Sequence, residues 1–173
     1  MRLTEELSKG CVLVVLDYHA TIKIQSWIKK NIPQDMLADD GVEHESHVTV
    51  TYGFLPDLDP DEVVGTLDGF GEVALKLCKV SRFDTSDEYD VLKVDVDSPD
   101  LARLHNYLKA VYGDRIEETF PEYHPHMTLA YVKKGACREL DGNSYFDGMV
   151  FVVDQAIYSS QGSAERRVAI LAS

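Results

Sequence analysis

Residues 10–17 (GCVLVVLD) form a continuous apolar run of strand length, and within residues 20–30 Ile24, Trp27 and Ile28 recur at helical spacing. The pattern predicts a central strand that feeds a helix. Residues 31–33 stop that helix, and the acidic stretch 39–45 reads as a loop delivering the chain to His47. Residues 46–53 then alternate in the manner of a strand. Asp59-Pro60-Asp61-Glu62 combines an N-cap, a first-turn proline and a capping-box glutamate, with Val63, Val64 and Leu67 on one face behind it.

Two alternating stretches, 71–82 and 89–97, are separated by the polar residues 84–88 and predict a hairpin. Ser98-Pro99-Asp100 repeats the cap-plus-proline signal, and Leu101, Leu104, Leu108 and Val111 define a helix that Gly113 ends. A loop over 114–125 leads into a strand at 126–132. Residues 149–158 and 166–171 read as a closing hairpin around Gln161-Gly162. Helices interspersed among paired strands predict an α+β fold with a mostly antiparallel sheet.

At 173 residues the chain has the length of one ordinary domain, and a 45% hydrophobic content suffices for a sizeable core. Acidic residues outnumber basic ones 30 to 17, a net charge of −13. That field repels long polyanions and anionic membranes, so a nucleic-acid partner is expected to be small. Neither a membrane-spanning run nor a signal-peptide layout is present, which points to the cytoplasm. Cys11, Cys78 and Cys137 are odd in number and far apart, and read as reduced thiols filling apolar space.

Setting His47-Val48-Thr49-Val50-Thr51-Tyr52 against His126-Met127-Thr128-Leu129-Ala130-Tyr131 exposes an internal repeat 79 residues apart. Strand alternation puts His47 with Thr49, and His126 with Thr128, on one face of each strand. Val48, Val50, Met127 and Leu129 fall on the opposite faces, as do Tyr52 and Tyr131. Two such strands side by side supply two imidazoles and two hydroxyls, a set suited to phosphodiester chemistry. One imidazole takes a proton from a ribose 2′-hydroxyl or a water, the other protonates the leaving oxygen, and the threonines hold the non-bridging oxygens. Which histidine plays which part is left open by the sequence. A lone His-x-Thr on a strand is ordinarily surface; the pair is the signal.

His124 with His126, or His44 with His47, lacks the third and fourth ligands of a metal site, so neither a metal nor another cofactor is expected. Pro125 fits the entry of a strand, His44 and His124 read as rim residues, and His19 and His105 as solvated helix positions. Tyr18, Phe120 and Tyr123 lie near the loops around the motifs and are candidates for stacking on bases.

The motifs HVTV at His47–Val50 and HMTL at His126–Leu129 resemble those of the two-histidine (2H) phosphoesterases. That resemblance implies a pseudo-twofold, two-lobed LigT-like α+β fold, with mostly antiparallel sheets and a central cleft, spanning 1–173 as a single domain. It gives catalytic roles to His47 and His126 and phosphate-holding roles to Thr49 and Thr128. Within the superfamily, SHVTVTYGF, HPHMTLAYVKKG and Tyr18 are most similar to the phage anti-CBASS nucleases. These enzymes cleave cyclic di- and trinucleotide messengers in the host bacterial cytoplasm. The resemblance places Tyr18 on a nucleobase and makes Asp154 the counterpart of a supporting acid. The alternatives are a 2′-5′ RNA ligase-like or 2′,3′-cyclic phosphodiesterase enzyme acting on RNA ends, and a non-catalytic nucleotide-binding module. Oligomeric state is not legible in the sequence.

Overall fold

The apolar run near the start of the chain forms β1 (Gly10–Val15), the second strand of a four-stranded sheet in the computed structural model, which describes residues 9–117, 122–161 and 165–173. Asp17 caps the following helix α1 (Tyr18–Asn31) by accepting a 2.8 Å hydrogen bond from the Ala20 amide. Ala20, Ile24, Trp27 and Ile28 line its buried side. The chain then passes through β2 (Leu37–Val42), β3 (His47–Phe54), α2 (Pro60–Leu67), β4 (Val73–Phe83) and β5 (Tyr89–Asp97). It continues through α3 (Pro99–Tyr112), β6 (His126–Lys133), β7 (Val150–Val153), β8 (Gln155–Ser159) and β9 (Arg166–Ile170).

One sheet has the strand order β3-β1-β8-β9, the other β2-β6-β5-β4-β7, and every pairing is antiparallel. The α+β reading therefore holds. The two sheets adjoin along β3 and β6, whose Cα atoms approach within 8 Å. The core is continuous across both. It takes Val12, Val14, Val48, Val50 and Phe54 from the first sheet, and Leu92, Val94, Met127, Leu129 and Val132 from the second, with the apolar sides of the helices against them.

Three expectations need correction. Residues 39–45 are not simply a loop: β2 runs alongside β6, with Leu37 opposite Val132 and Val42 opposite Ala130 and an irregular stretch between. Asp39 and Asp40 point outward from this edge strand, where charge blunts further pairing, so an acidic sequence conceals the strand. In α3 the last core position is Tyr112, not Val111, which is 48% exposed. The i+4 step carries Tyr112 edge-on to Phe54, and its hydroxyl meets Thr66 Oγ1 at 2.9 Å.

The third correction concerns residues 149–158, which are two strands in two different sheets. The chain turns at Asp154, so β7 pairs with β4 whereas β8 pairs with β1 and β9. The Asp154 carbonyl accepts from the Leu171 and Ala172 amides at 2.8 and 3.3 Å, pinning the crossing point. Period-2 alternation identifies buried positions but not the neighbouring strand. Cys11, Cys78 and Cys137 form no disulfide among the described residues, with Cys137 buried and the other two partly so.

Candidate active site

The sequence repeat is a repeat of structure. The unit β1-α1-β3 matches β5-α3-β6, each with a 14-residue helix capped by an oxygen-bearing side chain, Asp17 in one and Ser98 in the other. In the first unit Val15, Leu13 and Val12 lie opposite His47, Thr49 and Thr51; in the second Asp95, Lys93 and Leu92 lie opposite His126, Thr128 and Ala130. Each motif strand advances two residues against one on its partner immediately after the threonine. This is a β-bulge at Val50 and at Leu129.

The bulges change which side chains share a face. His47, Thr49, His126 and Thr128 are half-buried on faces turned away from the core, as alternation predicts. Beyond each bulge the alternation slips by one. Ala130 and Val132 join the main core cluster, whereas Tyr131, itself buried, lies outside that cluster and meets the Tyr89 ring at 5.7 Å. Tyr52, half-buried, likewise stays outside it. The two tyrosines thus lie on the histidine-bearing faces, contrary to strict alternation, because an extra residue reverses the side on which later residues point.

The segments leading into the motifs clasp each other's strands. Tyr123, three residues before His126, donates from Oη to the Thr49 carbonyl at 2.8 Å, while the Glu43 amide, four residues before His47, donates to the Leu129 carbonyl at 3.0 Å. This reciprocal pairing brings the two His-x-Thr segments together. Arg166 adds an exposed ion pair to the Glu45 carboxylate at 2.7 Å.

Both imidazoles are held in the same way. Nδ1 of His47 lies 2.8 Å from the Glu45 carbonyl oxygen, and Nδ1 of His126 lies 2.9 Å from the His124 carbonyl oxygen. A carbonyl only accepts, so Nδ1 carries the proton in both rings and Nε2 is left for proton transfer. Burial pushes the His126 pKa down from its ordinary value, against an upward pull from the His124 carbonyl, and Lys93 lowers it further. The Phe83 ring packs edge-on against His126 at 5.0 Å.

The remaining candidates are dispersed. Tyr18 is the first residue of α1 and 74% exposed, with a ring edge toward His19. Asp154 is exposed at the turn between β7 and β8, two residues before Ala156, the partner of Val14; Val15 next to it faces His47. Tyr18 and Asp154 therefore lie toward the His47 end of the first sheet. One face of Tyr123 stacks on His105 at 4.2 Å with the rings nearly parallel, and with Thr49 holding the hydroxyl, both are engaged inside the protein. Burial raises the Tyr123 pKa strongly. Phe120 lies outside the described residues.

His105 is not a solvated helix position. Its Nδ1 meets the Val50 carbonyl at 2.8 Å and Thr51 Oγ1 at 3.0 Å, so it binds the first motif strand at the bulge. His19, His44 and His124 are exposed, and His124 faces Glu122 at 3.1 Å. Among the described residues, no three His, Cys, Asp or Glu side chains gather as a metal-holding group, and no helix is long and apolar enough to cross a membrane. The sequence reading missed Lys93 and His105. The signal for Lys93 was its place opposite Thr128, which appears only once the strands are paired.

Residues 26–145, which contain both motifs, match the sequence model of the 2′-5′ RNA ligase superfamily. The fold is similar to TT0787 of Thermus thermophilus, at 16% identity over 95% of each chain with a TM-score of 0.65. It is similar to LigT of E. coli complexed with 3′-AMP, at 17% identity over 96% of each chain with a TM-score of 0.65. Usb1 of Kluyveromyces marxianus shares 11% identity over 96% of this chain and 100% of its own, with a TM-score of 0.62. No curated protein matches the sequence.

Proposed function

Because the chain belongs to the 2′-5′ RNA ligase superfamily, which contains phosphoesterases, we propose that it is a metal-independent phosphodiesterase cleaving 3′-5′ linkages of small cyclic oligonucleotides. The observation that carries this reading is the shared tautomer: two repeat-related histidines each give Nδ1–H to the carbonyl two residues upstream and keep Nε2 for the reaction. A module that only sequestered nucleotides has no use for two bases held this way.

His126 is the base, since burial favours its neutral form, and Nε2 takes the proton of a ribose 2′-hydroxyl. The 2′-oxygen forms its bond to phosphorus as the bond to the 5′-oxygen breaks, and His47 in its protonated form supplies the proton that oxygen needs. Thr49 and Thr128 donate to the non-bridging oxygens as charge accumulates there. The products are a 2′,3′-cyclic phosphate and a free 5′-hydroxyl, and a second pass with water opens the cyclic phosphate.

The charge of −13 favours a small ring over long RNA, and Tyr18, exposed toward the His47 end, is the candidate platform for a base, with Asp154 as a supporting acid. These features support an anti-CBASS role in a bacterial cytoplasm. The second reading, action on RNA ends, is favoured by the family's description and by the 3′-AMP complex of a structural neighbour.

The deciding experiment presents 3′3′- and 2′3′-linked cyclic di- and trinucleotides, 2′-5′ oligoadenylates and RNA ending in a 2′,3′-cyclic phosphate. Fastest cleavage of a cyclic oligonucleotide, with a first product of unchanged mass, is expected. Exclusive action on RNA ends overturns the cyclic-nucleotide reading, and no cleavage of any of them overturns the phosphodiesterase reading.

A further inference from the structure

The two halves of the site are not equivalent. The residues opposite His47 and Thr49 are Val15 and Leu13, whereas those opposite His126 and Thr128 are Asp95 and Lys93. An apolar pair in one half is thus replaced by an ion pair in the other, on the face that bears the histidines. Lys93 is only 7% exposed. Burial of a lysine is costly unless its charge is compensated.

The compensation is incomplete in a directional way. Lys93 Nζ donates to Asp95 Oδ1 at 2.5 Å and to Ser81 Oγ at 2.7 Å, and Ser81 Oγ donates to the same carboxylate oxygen at 3.1 Å. The ammonium sits 4.4 Å from the centre of the Phe83 ring, the ring that also packs against His126. An ammonium has three donors and these hydrogen bonds use two. Asp95, by contrast, is half-exposed, its side chain 52% accessible. A pair serving only to fill space has no reason to set the lysine beside Thr128 and leave the carboxylate in solvent.

Resting on the phosphodiesterase reading above, we infer that Lys93 is a phosphate-binding residue of the second half of the site, its ammonium reaching the non-bridging oxygen beside Thr128 while Ser81 steadies it. Asp95 holds the ammonium in place and competes with the phosphate for it. The first half, with Leu13 and Val15 in the equivalent places, carries no such charge, so the phosphate is drawn toward β5 and β6.

Calorimetric titration with inorganic phosphate, 3′-AMP and adenosine tests this without requiring turnover. Lys93→Met is expected to weaken both phosphate-bearing probes about 10- to 100-fold, the worth of a hydrogen bond to a charged group, and to leave adenosine unchanged. Lys93→Arg is expected to retain most of the affinity. Asp95→Asn is expected to tighten both phosphate-bearing probes, because it removes the competing charge. A structural ion pair predicts instead that losing either partner harms binding alike. Weaker phosphate binding by Asp95→Asn, or unaltered binding by Lys93→Met, overturns the inference, and the asparagine variant alone decides if Lys93→Met does not fold. If the wild type binds in this pattern yet cleaves no phosphodiester, the function proposed above fails and the role of Lys93 stands.

Discussion

The phenolic oxygen of Tyr123 lies 2.8 Å from the Thr49 carbonyl oxygen, tying the approach to the second motif onto the backbone of the first. His105, stacked on the same tyrosine, meets the next carbonyl, that of Val50. Two side chains thus satisfy successive backbone oxygens at the bulge that aims Thr49.

Tyr123→Phe removes that hydrogen bond while keeping the ring stack. Losing this part-buried hydrogen bond is expected to cost about 0.5–1.5 kcal/mol in chemical unfolding. Misplacement of Thr49 is expected to lower kcat more than it raises KM. Unchanged kcat in a destabilised but folded variant would show the tyrosine to be a structural clasp alone.

Substituting His47 or His126 by Ala is expected to lower turnover by about 10²–10⁴-fold each, and the double variant by much less than the product, since both act in one transition state. Steady-state assays in EDTA should match those without it. Loss of activity in EDTA and its return with a divalent ion would refute the metal-free route.

The pH–rate profile is expected to be bell-shaped, with its acid limb below the ordinary histidine value near 6.5. The sign follows from burial: the base must be neutral, and His126 resists protonation, so activity persists to lower pH than a solvated imidazole allows. The same shift makes the folded state bind this proton more weakly than the unfolded chain. Its contribution to stability is therefore present above the unfolded value and lost progressively as pH falls below it and through the folded value. NMR titration of the imidazole C–H resonances reads the His126 value directly, and a midpoint above 6.5 contradicts the assignment.

Gly53 sits at φ 112°, with its carbonyl accepting from the Glu117 amide at 2.8 Å. A Cβ there would stand 2.2 Å from the Glu117 carbonyl oxygen, so a side chain has neither the backbone region nor the space. Gly53→Ala is expected to lower the melting temperature by several degrees, corresponding to about 1–3 kcal/mol. A melting curve unchanged from wild type would show that this end of β3 relaxes freely.

Local physics made much of the molecule legible in the sequence. Proline behind a capping residue at Asp59 and Ser98 set where two helices begin, as the hydrogen bonds to Asp61 and Leu101 show. Alternation around His47 and His126 placed each His-x-Thr pair on one strand face, because side-chain direction along an extended backbone depends only on position. Facts that depend on a neighbour distant in sequence were decided by tertiary structure. Residues 37–42, with Asp39 and Asp40 among them, became an edge strand because β6 offered its ladder, and the turn at Asp154 sent two halves of one apolar stretch to different sheets. The bulges at Val50 and Leu129 moved Tyr52 and Tyr131 onto the histidine-bearing faces. Lys93, unremarkable in a run of alternating residues, gained its place only when β5 settled against β6 with Thr128 opposite. Strand register is set by pairing and packing across the whole sheet, and that information is not held in any local stretch of the chain.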